Sequence, residues 1–301
     1  MIKKNFNLII FTEFSKKKGL GHYVRSKRLF YYLRNKYSVK LYVNKNSLFI
    51  NKVINSNKKK TIYLFDFKNH KKLDYSDSLD CFNIFLDKVS KGKKNCININ
   101  PLMPSTGCYS GPKWFFYPLE FFHKLKIKKN NLKRILICQG GTDANDNIFK
   151  LIKIIKNKIK DIKFHLSVLA PKNYKFNQNL KKKYSIKFYS NVKNMHLFLN
   201  KFDHIVSSCG SMGYEINFFG INCTFVTTEA REIRLAKHLK KKGFGNFFDI
   251  YQKKYILEDI YSHLIIKNNT MLYKKKISYF RHNGLQNIEN LILKLIKKNE
   301  I

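Results

Sequence analysis

No stretch of this 301-residue chain approaches the roughly 18 consecutive apolar residues that cross a bilayer as a helix. The opening run, MIKKNFNLIIFTEF, is too short in its apolar part for a secretory signal, and Glu13 breaks its continuation. These absences predict a cytoplasmic protein with at most peripheral membrane contact. Paired cysteines are missing too. Cys81, Cys96, Cys108, Cys138, Cys209 and Cys223 form no C-x-x-C pair, and no Cys/His group has zinc spacing. The thiols read as reduced, with Cys81 and Cys138 buried in or beside apolar runs, and neither a metal nor a cofactor is expected. Acidic residues are scarce: 19 Asp and Glu stand against 60 Lys and Arg, a net charge of +41. Such an excess suits nucleic acid or an anionic membrane. Here the basic residues are spread along the whole chain, and Lys, Asn, Ile, Phe and Tyr are abundant together, as AT-rich coding produces. With no basic patch, interleaved aromatic platform or RNA-binding motif, the charge reads as solvated lysine faces and predicts no specific nucleic-acid partner.

What is present is a core-forming composition, 44% hydrophobic, on a chain long enough for two domains. NLIIFTEF (7–14) has strand length, and Leu29, Tyr32 and Leu33 then recur at helical spacing. VKLYV (39–43), TIYLFDF (61–67), CFNIFLD (81–87) and NCININP (95–101) are further strands, two of them ending in an aspartate. A short helix is expected over SLFINKVINS. After the polar stretch KLKIKKNNLKR (124–134) the rhythm restarts with RILICQGGTD, a helix at 147–159, and the strands KFHLSVLA and IKFYSN. Then come a short helix at MHLFLNKF, the strand–turn–helix HIVSSCGSMGYEINFFG, the strand NCTFVTTE, a helix closed by Gly243, and a last helix at NIENLILKLIKKN. Strands alternating with helices imply parallel βαβ units. The expected fold is two doubly wound, Rossmann-like α/β domains, residues 1–126 and 127–301, with the last helix a candidate to pack back on the first. Ligands of such sheets bind at the carboxyl ends of the strands, so the site is expected where the two domains' loops face each other.

Three strand-to-helix turns carry polar chemistry. In GLGH, Gly19 and Gly21 admit a ligand close to the main chain, and His22 opens a helix whose free amides and dipole favour negative charge. That field disfavours imidazolium, leaving a neutral ring suited to general-base work, with Arg25 one turn on. A surface histidine on an ordinary glycine turn explains the same residues. In CQGGTDANDN, Gly140, Gly141, Thr142 and Asp143 suit a diphosphate or a plain capped loop. In SSCGSMGYE, Ser207, Ser208, Gly210 and Ser211 gather hydroxyls and amides at one helix start. Glu215 is placed to accept two ribose hydroxyls, or merely to complement the dipole. Taken together, the second and third turns describe a nucleotide site and the first presents His22 to a sugar.

GLGHYVR resembles the G-x-G-H-x-x-R signature of the UDP-sugar hydrolases of pseudaminic acid synthesis and of the related spore-coat polysaccharide sugar-nucleotide proteins. YSGPKWFFYPLEFF (109–122) is similar to that family's Gly-Pro…Glu-Phe segment, and CQGGTD to its Gly-Gly-Thr/Ser-Asp turn. SSCGSMGYE is similar to its Ser-x-x-Gly-Ser…Glu loop, shared with glycosyltransferases of the lipid-linked peptidoglycan type. The resemblance implies the two-domain glycosyltransferase B fold and metal-free hydrolysis of a UDP-linked amino sugar. It makes His22 catalytic, with Asp87 to orient its water or its ring. Gly21 and Arg25 would shape the turn, and Gly140, Gly141, Thr142, Asp143, Ser207, Ser208, Gly210, Ser211 and Glu215 would hold UDP. Transfer of the same sugar to a hydroxyl acceptor is the alternative activity. Where the hydrolases carry Ile-Asp-His-Tyr this chain has IFLDKV, so Lys88 and Val89 depart; Pro118 also departs, as do Arg231 and Glu232 in AREIRLA.

Overall fold

The computed structural model describes residues 6–14, 21–57, 60–67, 81–87, 95–103, 109–123, 133–139, 146–159, 163–171, 174, 185–227, 229–265 and 270–298. The chain divides into two compact units, Met1–Pro118 with His282–Ile301, and Leu119–Arg281. The division falls at Pro118, whereas the sequence places it at 126.

The first unit is built on a parallel sheet of β1 (Asn7–Thr12), β2 (Ser38–Val43), β3 (Thr61–Asp66), β4 (Cys81–Leu86), β5 (Cys96–Asn100) and β6 (Tyr109–Ser110). Its order is β2-β1-β3-β4-β5-β6. Every residue of β3 and β4 is buried, as expected of parallel strands covered on both faces. Side chains alternate across the sheet. Leu8, Ile10, Ile62, Leu64, Ile84 and Leu86 face α1 (Gly21–Leu33) and α9 (Gly284–Lys298). Ile9, Phe11, Tyr63, Phe65 and Phe85 face α2 (Ser47–Ser56). The last helix thus returns to the first unit's core through Leu285, Ile288, Leu291, Ile292 and Leu295. Its first residue must be small, because a Cβ on Gly284 would overlap the carbonyl oxygen of Phe115.

The second unit holds β7 (Lys133–Cys138), α3 (Asn147–Lys158), β8 (Phe164–Leu169), β9 (Lys187–Tyr189), α4 (Met195–Leu199), β10 (His204–Ser207), α5 (Ser211–Phe218), β11 (Asn222–Val226), α6 (Ala230–Lys241), β12 (Asn246–Phe248), α7 (Lys253–Ile265) and α8 (Thr270–Phe280). Its parallel sheet runs β12-β11-β10-β7-β8-β9. Numbered within the unit this is 6-5-4-1-2-3, the order of dinucleotide-binding sheets, which reverses between β7 and β10. Ile135, Ile137, Val206 and Val226 pack with the apolar stripes of α3 and α7. Gly243 closes α6 with φ +76°, as its position in the sequence predicts. The doubly wound architecture expected from the strand–helix alternation is present in both units.

Candidate functional site

The first sheet reverses its winding between β1 and β3, and the chemistry gathers there. Gly21 begins α1. His22, Arg25 and Ser26 follow at i, i+3 and i+4, so they share the helix face turned to the sheet, and all three are buried. Each meets Asp66, the last residue of β3, which is fully buried. His22 Nδ1 lies 2.6 Å from Asp66 Oδ1. Arg25 Nε donates to Asp66 Oδ2 at 2.8 Å, and Arg25 Nη2 donates to Oδ1. Ser26 Oγ donates to Oδ2 at 2.7 Å. Thr12, paired with Asp66 across the β1–β3 ladder, donates its hydroxyl to the Asp66 carbonyl at 3.3 Å.

Burial alone raises the Asp66 carboxyl; the charge and hydrogen bonds of Arg25, with His22, reverse this and hold it below the usual carboxylate value. Burial likewise works against the Arg25 cation, and Asp66 and Asp87 together raise it instead. An ionised carboxylate only accepts hydrogen bonds. His22 Nδ1 therefore carries a proton, and the neutral form of the ring is the tautomer with its lone pair at Nε2. In that tautomer Nδ1 cannot also accept from Arg25 Nη2, which stands 3.0 Å away.

Asp87 follows β4 with φ +64°, and its Oδ2 lies 2.7 Å from Arg25 Nη2. The sequence offers Asp87 to orient the water or the ring; the carboxylate on the ring is Asp66, and Asp87 holds the arginine beside it. The only sequence signal for Asp66 is its place as the aspartate near the end of TIYLFDF, a position Asp87 shares in CFNIFLD. Lys88 and Val89 lie outside the described residues.

In the second unit, β10 and β7 run side by side with Ser207 opposite Cys138, and the Ser208 amide donates to the Cys138 carbonyl at 3.3 Å. This is the switch point of the sheet, so the serine turn and the CQGGTD turn start as neighbours. Gly140, Gly141, Thr142 and Asp143 lie outside the described residues. Ser207 and Ser208 are buried, and Ser207 Oγ donates to the Ser208 carbonyl at 2.8 Å. Gly210 is the N-cap of α5 and supplies no side chain to the helix amides; Ser211 is the first helical residue. Glu215, one turn further along, is buried.

The structure adds one acidic group to this turn. Glu232, in the first turn of α6, brings Oε1 to 3.0 Å from the point a Cβ on Gly210 would occupy. Its Oε2 accepts from Thr227 Oγ1 at 2.5 Å. The departure AREIRLA is its only sequence signal. Among the described residues no helix is long and apolar enough to cross a membrane.

No family model matches the chain. It is 23% identical to the spore coat polysaccharide biosynthesis protein SpsG of Bacillus subtilis over 283 residues, 78% of this chain and 81% of that protein. An uncharacterised protein of Methanocaldococcus jannaschii is 29% identical over 177 residues, 54% of this chain, and the match spans only 34% of that protein's length. Among solved structures, the spinosyn rhamnosyltransferase SpnG complexed with thymidine diphosphate superposes with a TM-score of 0.67 at 9% identity, covering 95% of this chain and 99% of that chain. MurG of Acinetobacter baumannii gives 0.62 at 11% identity, covering 96% and 99%. The UDP co-structure of S. aureus MnaA gives 0.64 at 12% identity, covering 97% and 98%. The chain has the two-domain glycosyltransferase B fold.

Proposed function

We propose that the protein transfers a glycosyl group from a UDP-linked sugar to a hydroxyl acceptor in the synthesis of a surface polysaccharide, with His22 as general base. The observation that carries this reading is the His22–Asp66 pair, 2.6 Å apart at the switch point of the first sheet. It fixes the tautomer whose Nε2 can take a proton. Glycosyltransferases among the fold's neighbours and the likeness to SpsG support a nucleotide-sugar substrate.

In the reaction the acceptor oxygen attacks the anomeric carbon, His22 Nε2 takes the hydroxyl proton, and the bond from that carbon to the diphosphate oxygen breaks. The leaving UDP needs little protonation, since its terminal phosphate has a pKa of about 6. It needs charge stabilisation, which the uncapped amides of α5 and the Gly140–Asp143 turn would provide. Ser207, Ser208, Gly210, Ser211 and Glu215 complete the nucleotide site in this proposal. Asp66 orients and polarises the imidazole; Arg25, itself held by Asp87, keeps Asp66 in place. Among the described residues nothing lies within 4 Å of a Cβ built on Gly21, beside His22.

Hydrolysis of the same donor is the second reading, carried by the GLGHYVR resemblance to the pseudaminic acid pathway's hydrolases. Water then replaces the acceptor, with the same base. The deciding experiment measures UDP release from a panel of UDP-amino sugars with and without polysaccharide-fragment acceptors. Release that requires acceptor supports transfer. Release without acceptor, with solvent oxygen appearing at the anomeric position, supports hydrolysis. Neither release nor UDP binding would overturn both.

A further inference from the structure

A second polar cluster lies at the other end of β10. His204 opens that strand and is fully buried. Asp259 and His263 lie one turn apart on α7, which packs against the sheet. Each of the three offers a ligand atom, and these atoms lie within 4.8 Å of one another. Ser207, in the candidate nucleotide turn, is three residues along β10 from His204, about 10 Å at strand rise, so the two clusters are separate.

The hydrogen bonds around the cluster determine where each proton sits. Thr224 Oγ1 donates to Asp259 Oδ2 at 2.5 Å, so it must accept in its contact with His204 Nε2 at 2.9 Å. His204 Nε2 therefore bears the proton. With its one proton on Nε2, the neutral ring keeps its lone pair at Nδ1. That Nδ1 is buried and has no hydrogen-bond partner among the described residues. A buried polar atom in this state is explained by a bound ion or an ordered water. His263 Nδ1 faces the backbone carbonyl of Asp259 at 2.8 Å, so it is the donor and Nε2 keeps the lone pair. Asp259 Oδ1 accepts from Asn246 Nδ2 at 2.5 Å and retains a second lone pair. Lys276, the cation of this region, is turned onto the Ile221 carbonyl at 2.8 Å.

We infer that His204, Asp259 and His263 form a binding site for a divalent transition-metal ion, zinc in the first instance. Two imidazoles, each donating its other N–H to a fixed oxygen, and one carboxylate make a donor set that suits zinc, and the outer hydrogen bonds are those that orient metal-ligating side chains. Zinc–nitrogen bonds of about 2.0 Å put neighbouring tetrahedral ligands about 3.3 Å apart, so the three side chains, whose ligand atoms lie within 4.8 Å of one another, would have to draw together on the ion. The ion would pin α7 to the start of β10, at the far end of that strand from the serine turn. Sequence spacing excludes a zinc motif because the ligands come from a strand and a helix 55 residues apart (204 to 259).

The test uses the full chain without an affinity tag, stripped with chelator and dialysed against buffer containing Zn²⁺ or Co²⁺. One ion per chain should be retained, and the Co²⁺ form should show the visible absorption of a low-symmetry site. The unfolding temperature should rise by roughly 5–10 °C with free metal about 100-fold above its Kd. His263→Gln, at a half-exposed position, should fold and lose the ion; His165→Ala, on an exposed histidine, should keep it. His204→Ala should lose it as well, and if that variant fails to fold, His263→Gln decides alone. A wild-type chain that retains no metal overturns the inference and leaves His204 Nδ1 facing buried water. Metal content unchanged in His263→Gln also overturns it, because the ion then lies elsewhere.

Discussion

Asp66 and Arg25 form an ion pair in which the carboxylate is fully buried and the guanidinium nearly so, made by two hydrogen bonds from one side chain. Burial of both charges is costly, and removing one partner leaves the other uncompensated. The pair therefore secures a geometry, and the geometry is that of His22. Replacing Asp66 by Asn keeps the size but lets an amide N–H face the ring, which favours the tautomer with its proton on Nε2. The expected result for Asp66→Asn is a turnover lower by roughly 10² to 10⁴-fold, with the donor KM little changed. Steady-state UDP release, read across pH, checks it: a purely structural role would raise KM and leave the shape of the pH profile intact.

The same carboxylate predicts a pH dependence of stability. Asp66 is held below its ordinary value in the folded chain. Its contribution is therefore complete above the unfolded carboxylate value of about 3.9 and is lost as pH falls through the lower, folded value. Urea midpoints measured from pH 6 down to pH 3 should fall more steeply for wild type than for Asp66→Asn, which has no proton to take up there. Parallel curves would show that the group does not titrate with folding.

Glu289 on α9 predicts how the last helix is retained. It accepts from Tyr32 Oη at 2.8 Å, Tyr37 Oη at 2.8 Å and Lys36 Nζ at 2.9 Å. Burial pushes this carboxyl up, and the bonds from Lys36 and both tyrosines bring it down below the usual range. Glu289→Leu would strand buried Tyr37 without its acceptor, and the expected loss is about 1–3 kcal/mol. Gly284→Ala should do comparable damage by overpacking, since its Cβ would strike the Phe115 carbonyl. Urea unfolding of both variants gives the measurement, and a loss below about 0.5 kcal/mol in each would show that α9 does not depend on these contacts.

Periodicity in the chain makes β1, α1, α3 and the serine turn legible, because each is a run long enough for its apolar repeat to stand out. It does not reveal α7 and α8. Their buried residues Ile256, Ile260 and Leu264 keep the helical spacing, but the exposed Tyr255, Tyr261, Ile265 and Met271 blur the stripe. The strands β6 and β12, of two and three residues, are too short to leave a pattern. The choice between Asp66 and Asp87 is beyond any local reading. Asp66 ends one buried strand and Asp87 directly follows another, and only the sheet order, with β3 next to β1 and β4 one strand further, decides which reaches His22. Glu232 is similar: its approach to Gly210 is a fact of tertiary packing between the starts of two helices.

That approach supports the last prediction. Gly210 caps α5 without a side chain, and a methyl group there would press on Glu232 Oε1 at 3.0 Å. Glu232 is also tied to Thr227, so it cannot swing away without breaking that bond. Gly210→Ala should therefore displace either the turn or the carboxylate while leaving the buried sheet alone. If UDP sits on the α5 amides, the variant should bind UDP roughly tenfold more weakly, about 1.4 kcal/mol, with an unfolding midpoint near that of wild type. Glu232→Gln removes a negative charge beside the same amides and should tighten UDP binding, because the carboxylate and the diphosphate compete for one positive helix end. Titration calorimetry of the three proteins with UDP settles it: equal affinities would move the nucleotide off this helix.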